Sequence, residues 1–180
     1  MNVIDKNIEL EKFKNLPFVV LGMGCFWGAE RKFWSVKGVS ATVVGYAGGN
    51  IPNPSYKEVC SGQSGHVEVV KVVYNKKLTD LNSLLKVFWE SHDPTQLNRQ
   101  GNDIGTQYKS VIFASNKQEK EIAENSKLKY QEILKSKGFN SIRTEISIIK
   151  NFYFAEDYHQ KYLLKNPNGY CGLGGLNIEY

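Results

Sequence analysis

A glycine-rich break between two apolar stretches is the feature that most constrains this chain. The run Phe18-Val19-Val20-Leu21 is typical of a buried strand, and Gly22-Met23-Gly24-Cys25 follows it directly. Beyond Cys25, aromatic residues recur seven positions apart, which predicts a helix from 26 to about 36. Cys25 is therefore expected where a strand ends and a helix begins.

That position predicts unusual chemistry for the Cys25 sulfur. The free N–H groups at a helix N-terminus stabilise an anion, so the pKa of a thiol there is expected to fall. Because the thiolate is the nucleophile, Cys25 is a candidate reactive cysteine. The alternative is that Cys25 is a small buried apolar residue, as most free cysteines are.

Composition excludes several classes of protein. The 180 residues are 41% hydrophobic, which suits one domain with a proper core. The net charge is +5, but no run of five like charges occurs, so nucleic-acid binding is not expected. Three cysteines fit a reducing compartment better than a disulfide scaffold. With no signal peptide or membrane span evident, a cytoplasmic protein without a membrane partner is expected.

Strands and helices alternate along the chain. Strands are predicted at about 17–23, 39–47, 65–74, 108–114 and 143–150, and helices at about 26–36, 81–91, 117–137 and 155–165. The rest is a loose lead-in, two loops and a glycine-rich tail, at 1–16, 50–56, 95–107 and 166–180. This order predicts an α/β two-layer sandwich with a mixed sheet, in a single catalytic domain covering 1–180.

Glu68 interrupts a predicted strand, 65–74, in which both faces are otherwise largely apolar. If its side chain faces the core, burial raises the pKa of the carboxyl and leaves a neutral acid that can donate a proton. The alternative is a strand-end glutamate paired with a nearby basic residue.

Phe26 and Trp27 flank Cys25 at the first turn of the predicted helix. Both could simply pack in the core. They could also form an apolar slot beside the thiol, since aromatic rings favour thioether and methyl-sulfur groups.

The other two cysteines differ in their surroundings. Cys171 lies in a glycine-rich tail that is expected to be mobile, so it is a candidate resolving cysteine that attacks a sulfenic acid on Cys25. The alternative is an idle surface thiol. Cys60 is interpreted as structural, with a resolving role as the alternative. No Cys or His pair has metal-ligand spacing, so no metal is expected.

The residues around Cys25 carry a family resemblance. Gly24-Cys25-Phe26-Trp27-Gly28 is similar to the signature of the class A peptide-methionine sulfoxide reductases, which reduce the S epimer of methionine sulfoxide. Further blocks resemble the family in the same order, over about residues 17–176: Gly45–Gly49, Pro52–Tyr56, Val59–Gly62, Gly65–Glu68, Phe88–Pro94, Arg99–Tyr108, Ala155–Gln160 and Gly169–Gly172. The resemblance implies a two-layer α/β sandwich with a ferredoxin-like core.

The resemblance also implies catalytic roles. Cys25 is the nucleophile, Glu68 protonates the sulfoxide oxygen, and Tyr56 and Tyr108 hold that oxygen. Cys171 is the recycling cysteine, and because no cysteine follows it, a Cys25–Cys171 disulfide reduced by thioredoxin is implied.

Substrate-binding roles are implied for four further residues. Phe26 and Trp27 form the pocket for the ε-methyl group, Asp103 orients the substrate, and Tyr162 is an aromatic near the pocket. The family needs no metal or organic cofactor and acts on oxidised proteins and on free methionine sulfoxide. A monomer is expected.

Other classes of function remain open at this point. A thiol peroxidase or disulfide oxidoreductase would use the same two cysteines but would not need Glu68 or the methyl pocket, and the chain has no CxxC. A Cys/His hydrolase is chemically possible, although nothing selects one histidine as its base. A basic nucleic-acid-binding or protein-binding module would reveal itself by steep salt dependence.

Overall fold

A computed structural model describes residues 11–180. The described residues form eight strands, five α-helices and one 3-10 turn (Thr106–Tyr108). The regular elements are, in chain order, β1 (Phe18–Gly22), α1 (Phe26–Phe33), β2 (Val39–Ala47), α2 (Tyr56–Cys60), β3 (Val67–Tyr74), α3 (Leu81–Ser91), β4 (Arg99–Gln100), β5 (Asp103–Ile104), β6 (Val111–Ala114), α4 (Lys117–Ser136), β7 (Glu145–Ile148), β8 (Phe152–Phe154) and α5 (Tyr162–Lys165).

A six-stranded mixed sheet forms the framework. Its strand order is β7-β6-β1-β3-β2-β8, and every neighbouring pair is antiparallel except β6 and β7. The central strand β3 is buried on both faces, as its sequence predicts, and only Glu68 and Lys71 depart from a continuous apolar run. The predicted α/β sandwich with a mixed sheet is confirmed.

Helix α3 shows why the sequence folds as it does. Its apolar residues at helical spacing, Leu81, Leu84, Leu85, Phe88 and Trp89, are all buried in the main core. At its start, the side chain of Asp80 accepts a hydrogen bond from the backbone of Ser83 at 2.8 Å, which confirms the predicted cap. At its end, His92 is buried and joins the Phe88 carbonyl to Ser110 at the start of β6, at 2.7 Å each.

Some predicted boundaries are wrong. The predicted loop 50–56 runs into the short helix α2, and the loop 95–107 contains the β4–β5 hairpin. The strand predicted from 108 begins at Val111, because Tyr108 closes the 3-10 turn. Of the predicted lead-in 1–16, residues 1–10 lie outside the described residues.

The helix predicted over 155–165 is also wrong. Only its end, α5, is helical, because Lys161 takes a left-handed conformation with φ +52° and interrupts the helical path. The polar side chains before it bond elsewhere: Gln160 bonds both backbone groups of Val44 at 2.9 Å, and Glu156 bonds Tyr46 and Tyr56.

Contacts with the main core hold the glycine-rich tail, which was expected to be mobile, from Leu173 to its end. Leu173, Leu176 and Ile178 pack against the main core, and Tyr180 donates its backbone N–H to Glu90 at 2.8 Å. The hydroxyl of Tyr130 donates to the Ile178 carbonyl at 3.0 Å. The part of the tail that carries Cys171 is therefore held from its far end.

Candidate active site

Cys25 lies at the junction that its sequence predicts. It follows β1, immediately precedes the first residue of α1, and is 8% exposed. The turn depends on Gly24, whose φ is +99°, and whose Cβ, if present, would lie 2.7 Å from the side chain of Gln100. Gln100 in turn is fixed by two hydrogen bonds to the backbone of Asp93, at 3.0 and 2.9 Å.

Glu68 reaches this junction from β3. It pairs with Tyr46 across the sheet, so both side chains lie on the face that α1 covers. Glu68 is 2% exposed, and its Oε2 accepts the backbone N–H of Phe26 at 3.1 Å. Burial raises the pKa of Glu68 to about 8, against the lowering effect of that hydrogen bond. The geometry thus favours the buried, neutral acid over the charge-paired glutamate.

The electrostatics of Cys25 overturn one expectation. The pKa of the Cys25 thiol is raised, to about 12, rather than lowered. Burial is the main cause, and the charge of Glu68 adds to it. The backbone N–H groups of Trp27 and Gly28 lower the pKa, as a helix N-terminus should, but they do not compensate for burial. The Cys25 thiol is therefore protonated at neutral pH.

Two tyrosine hydroxyls lie within electrostatic reach of Glu68. Tyr56 is the first residue of α2, which Ser55 and Glu58 cap reciprocally, and Tyr108 ends the 3-10 turn. Burial is the main cause that raises the pKa of both tyrosines, and Glu68 raises both further. Both hydroxyls therefore stay protonated and can donate hydrogen bonds.

Phe26 and Trp27, for which the sequence left core packing and an apolar slot as alternatives, differ in burial. Phe26 is fully buried in the core, whereas Trp27 is half-buried. The ring of Tyr162 stacks on Trp27 with centroids 3.8 Å apart and an interplanar angle of 14°. Two of the predicted aromatic site residues, Trp27 and Tyr162, are therefore in direct contact.

His159 is a site residue that the sequence reasoning did not assign. The indole Nε1 of Trp27 donates to its Nδ1 at 3.0 Å, so the ring proton of neutral His159 lies on Nε2. Burial lowers the pKa of His159 and keeps it neutral. Its ring also lies 5.0 Å from that of Phe26 and 4.8 Å from that of Tyr56, centroid to centroid. The available signal was its place in Ala155–Gln160, one of the blocks that resemble the family.

The tail brings Cys171 to the first turn of α1. A Cβ built on Gly28 would lie 2.8 Å from the Cys171 sulfur, so this approach requires glycine at position 28. Beside it, the hydroxyl of Tyr170 hydrogen-bonds to Asp103. Burial raises the pKa of the Asp103 carboxyl, and the Tyr170 hydrogen bond opposes that rise. Cys25 and Cys171 are both free thiols.

Cys60 is closer to the site than its sequence context indicates. It is exposed and ends α2, one turn after Tyr56, whose hydroxyl hydrogen-bonds to its sulfur. Burial raises the pKa of Cys60.

Two general features complete the description. Within residues 11–180, no group of three or more His, Cys, Asp and Glu side chains is arranged to hold a metal ion. No helix in the same range is long and apolar enough to cross a membrane.

Known proteins resemble this chain in sequence. Residues 18–176 match the family described as peptide methionine sulfoxide reductase. The "Peptide methionine sulfoxide reductase MsrA" of Rippkaea orientalis is 59% identical over 164 residues, which cover 91% of this chain and 76% of that relative. The "Mitochondrial peptide methionine sulfoxide reductase" of Homo sapiens is 56% identical over 177 residues, 98% of this chain and 75% of that relative.

Solved structures resemble its fold. Methionine sulfoxide reductase A of Corynebacterium diphtheriae superimposes with a TM-score of 0.83 at 44% identity, covering 86% of this chain and 77% of the other. Mxr1 from Saccharomyces cerevisiae in complex with Trx2 superimposes with a TM-score of 0.58 at 28% identity, covering 91% and 89%. The chain therefore belongs to the peptide methionine sulfoxide reductase family, and it is an enzyme that converts methionine sulfoxide back to methionine.

Proposed function

We propose that Cys25 takes the oxygen from methionine S-sulfoxide and that Glu68 supplies the proton this transfer needs. The observation that carries the proposal is the meeting of the two groups at the N-terminus of α1, where Glu68 bonds the N–H of the residue after Cys25. Sulfoxide oxygen leaves poorly until it is protonated, and a neutral buried carboxyl is a suitable donor at neutral pH.

The step balances without a metal or an organic cofactor. The Cys25 sulfur attacks the sulfoxide sulfur and loses its own proton, while the sulfoxide oxygen gains one from Glu68. In the adduct that forms, the hydroxyl moves from the methionine sulfur to the Cys25 sulfur as the S–S bond breaks. Methionine therefore leaves reduced by two electrons, and Cys25 becomes a sulfenic acid. The proton that Cys25 releases restores Glu68, so the net change is transfer of one oxygen atom from methionine to Cys25.

Neighbouring side chains position the substrate. Tyr56 and Tyr108 donate hydrogen bonds to the oxygen as charge develops on it. Phe26 and Trp27 receive the ε-methyl group, and Tyr162 supports Trp27 from behind. Asp103, at the hairpin beside the tail, orients the substrate backbone.

Cys171 completes the cycle. Its thiol attacks the Cys25 sulfenic acid, releases water and forms a Cys25–Cys171 disulfide. A thioredoxin then attacks that disulfide and restores both thiols. The position of the Cys171 sulfur over Gly28, and the structure of the relative Mxr1 in complex with Trx2, support these two steps.

The wider setting follows from the same features. We place the enzyme in the cytoplasm, since its three cysteines are free thiols that suit a reducing compartment. It acts as a monomer and a single catalytic domain, because one chain supplies every residue of the proposed site. Its substrates are oxidised proteins, which it repairs, and free methionine sulfoxide.

A single-turnover experiment tests the proposal. Pre-reduced enzyme, freed of reductant, is mixed with excess methionine S-sulfoxide, and methionine and remaining thiols are counted. Wild type should form one methionine per chain and lose two thiols, with Cys25 and Cys171 joined in peptide maps.

Three variants assign the cysteines. Cys25→Ser should form no methionine. Cys171→Ser should form one methionine and then stop, whereas the matched control Cys60→Ser should behave as wild type. Full methionine formation by Cys25→Ser would contradict the proposal.

A further inference from the structure

A partly buried ion pair between Glu30 and Lys161 joins α1, the helix that carries Trp27, to the segment before α5. Glu30, on α1, is fully buried. One oxygen of its carboxylate accepts hydrogen bonds from the Lys161 ammonium at 2.8 Å and from the Thr42 hydroxyl at 3.1 Å. The second oxygen of Glu30 accepts the backbone N–H of Lys161 at 2.8 Å. The ammonium also donates to the Thr42 carbonyl at 2.6 Å. Glu30 therefore binds both the side chain and the backbone of one residue.

That residue has an unusual backbone conformation. Lys161 lies in the left-handed region, with φ +52°, which residues with side chains seldom adopt. Such a conformation persists only where surrounding contacts maintain it. The hydrogen bonds that Lys161 donates to Glu30 and Thr42 are the contacts that do so here, and they set the direction in which the chain enters Tyr162.

Tyr162 in turn lies against the proposed substrate pocket. Its ring stacks on Trp27 at 3.8 Å. Trp27 and Glu30 are three residues apart on α1, so they lie on the same face of the helix. On the other side, Gln160 is bonded to Val44 at 2.9 Å. Tyr162 is thus fixed against Trp27 by the residues immediately before it.

We propose that the Glu30–Lys161 pair positions Tyr162 against Trp27 and thereby sets the width of the methyl pocket, so that the enzyme selects S-methyl over larger S-alkyl sulfoxides. The inference rests on the proposed role of Trp27 in binding the ε-methyl group. Glu30 and Lys161 are positioning residues, since neither lies in the pocket itself.

Two general arguments support a geometric role. A buried ion pair is weak support for stability, because apolar replacements of both partners are often neutral or better. A pocket can favour one substrate over another that is larger by one methylene group by about 10–200-fold in kcat/KM. It does so only if the side chains that line it stay in place. The stacked rings of Trp27 and Tyr162 stay in place only if the backbone that carries them is fixed.

The test compares two substrates on one enzyme. kcat/KM is measured for methionine S-sulfoxide and for its S-ethyl analogue, ethionine S-sulfoxide, and their ratio is taken. The ratio does not depend on the fraction of folded enzyme, so a merely structural role would leave it unchanged. The variants are Glu30→Gln, Lys161→Met and the conservative Lys161→Arg. The matched control is Lys165→Met, because this lysine ends the short helix that Lys161 precedes, and its ammonium donates to the carbonyls of Asp157 and Tyr158 rather than to Glu30.

The expected result is a loss of selectivity. Glu30→Gln and Lys161→Met should reduce the methyl-to-ethyl ratio at least about fivefold, a fraction of what one methylene is worth. Lys161→Arg should keep most of the wild-type methyl-to-ethyl ratio, and Lys165→Met should keep all of it. If Glu30→Gln does not fold, Lys161→Met, which retains an apolar stem, decides the question.

Two outcomes overturn the inference. Either folded variants keep the wild-type ratio while both substrates slow equally, or wild type itself reduces the two sulfoxides equally well. Failure of the proposed function gives a different result, namely no methionine from wild-type enzyme at all.

Discussion

Replacing Gly28 by alanine should separate the two halves of the catalytic cycle. The added Cβ would lie 2.8 Å from the Cys171 sulfur and 2.6 Å from Cδ1 of Leu173. Non-bonded heavy atoms settle at about 3.5–4.0 Å, so the tail has to retreat by about 1 Å. A misplacement of about 1 Å between reacting groups costs about 10²-fold in rate. Formation of the Cys25–Cys171 disulfide should therefore slow by about 10²-fold.

The stability of the variant should change little. Alanine is favoured over glycine inside a helix by about 0.8–1.0 kcal/mol, whereas overpacking costs about 1–3 kcal/mol when the surroundings cannot move. Cys171 and Leu173 are only half-buried and lie outside regular structure, so the tail can shift there at less cost than a fully buried side chain could. Formation of methionine in the first turnover should keep its wild-type rate, because Cys25 and Glu68 are not touched.

Rapid-quench measurements distinguish the two steps. Pre-reduced enzyme is mixed with substrate, methionine is quantified at each time, and free thiols are trapped by alkylation. Gly174→Ala is the matched control, since a Cβ there meets no atom within 4 Å. Disulfide formation at the wild-type rate in Gly28→Ala would refute the reasoning, and so would equal slowing of both steps.

Three other changes have expected outcomes. Glu68→Gln should slow methionine formation by about 10²–10⁴-fold, because an amide cannot act as the acid, and a near-wild-type rate in rapid quench would exclude that role. For wild type, kcat/KM should rise with pH as Cys25 ionises towards its pKa of about 12, and level off above about pH 8, where Glu68 begins to lose its proton. In Glu68→Gln the rise should continue through pH 8, and a plateau there would assign the break to another group. Leu84→Ala, in the fully buried part of α3, should lower the free energy of unfolding by about 2–5 kcal/mol in urea titrations, and a negligible change would contradict its core position.

The parts of the fold that the sequence predicted are those with strong local signals. β2 and α3 agree with prediction at both ends, because apolar periodicity and the Asp80 cap define them. Helix α2 was missed although Ser55 and Glu58 have the spacing of a capping box, since five residues give too little periodicity. The helix prediction for residues 155–161 was wrong because Gln160 and Glu156 bond residues distant in the sequence, in β2 and α2. Such long-range contacts leave no signal in the local sequence pattern.

The candidate site divides in the same way. The position of Cys25 between β1 and α1 could be predicted from the local sequence. The approach of Glu68 depends on the sheet register, which the residues alone left open, and only the family resemblance linked the two residues. The raised pKa of Cys25 could not be predicted, because it depends on how completely the surrounding elements bury the thiol. The hydrogen bond from Trp27 to His159 joins residues 132 positions apart, which spacing alone does not identify.

The anchored tail has a consequence for competition between thiols. Cys171 is attached within a short span between the turn at Gly169 and the packed residues from Leu173 onward. A group on such a short tether has an effective concentration in the millimolar range or above at the site it can reach. In the proposed cycle, a sulfenic acid on Cys25 would therefore meet Cys171 before it meets small thiols from solution. The enzyme is expected to present one defined disulfide to its reductant instead of a mixture of capped forms.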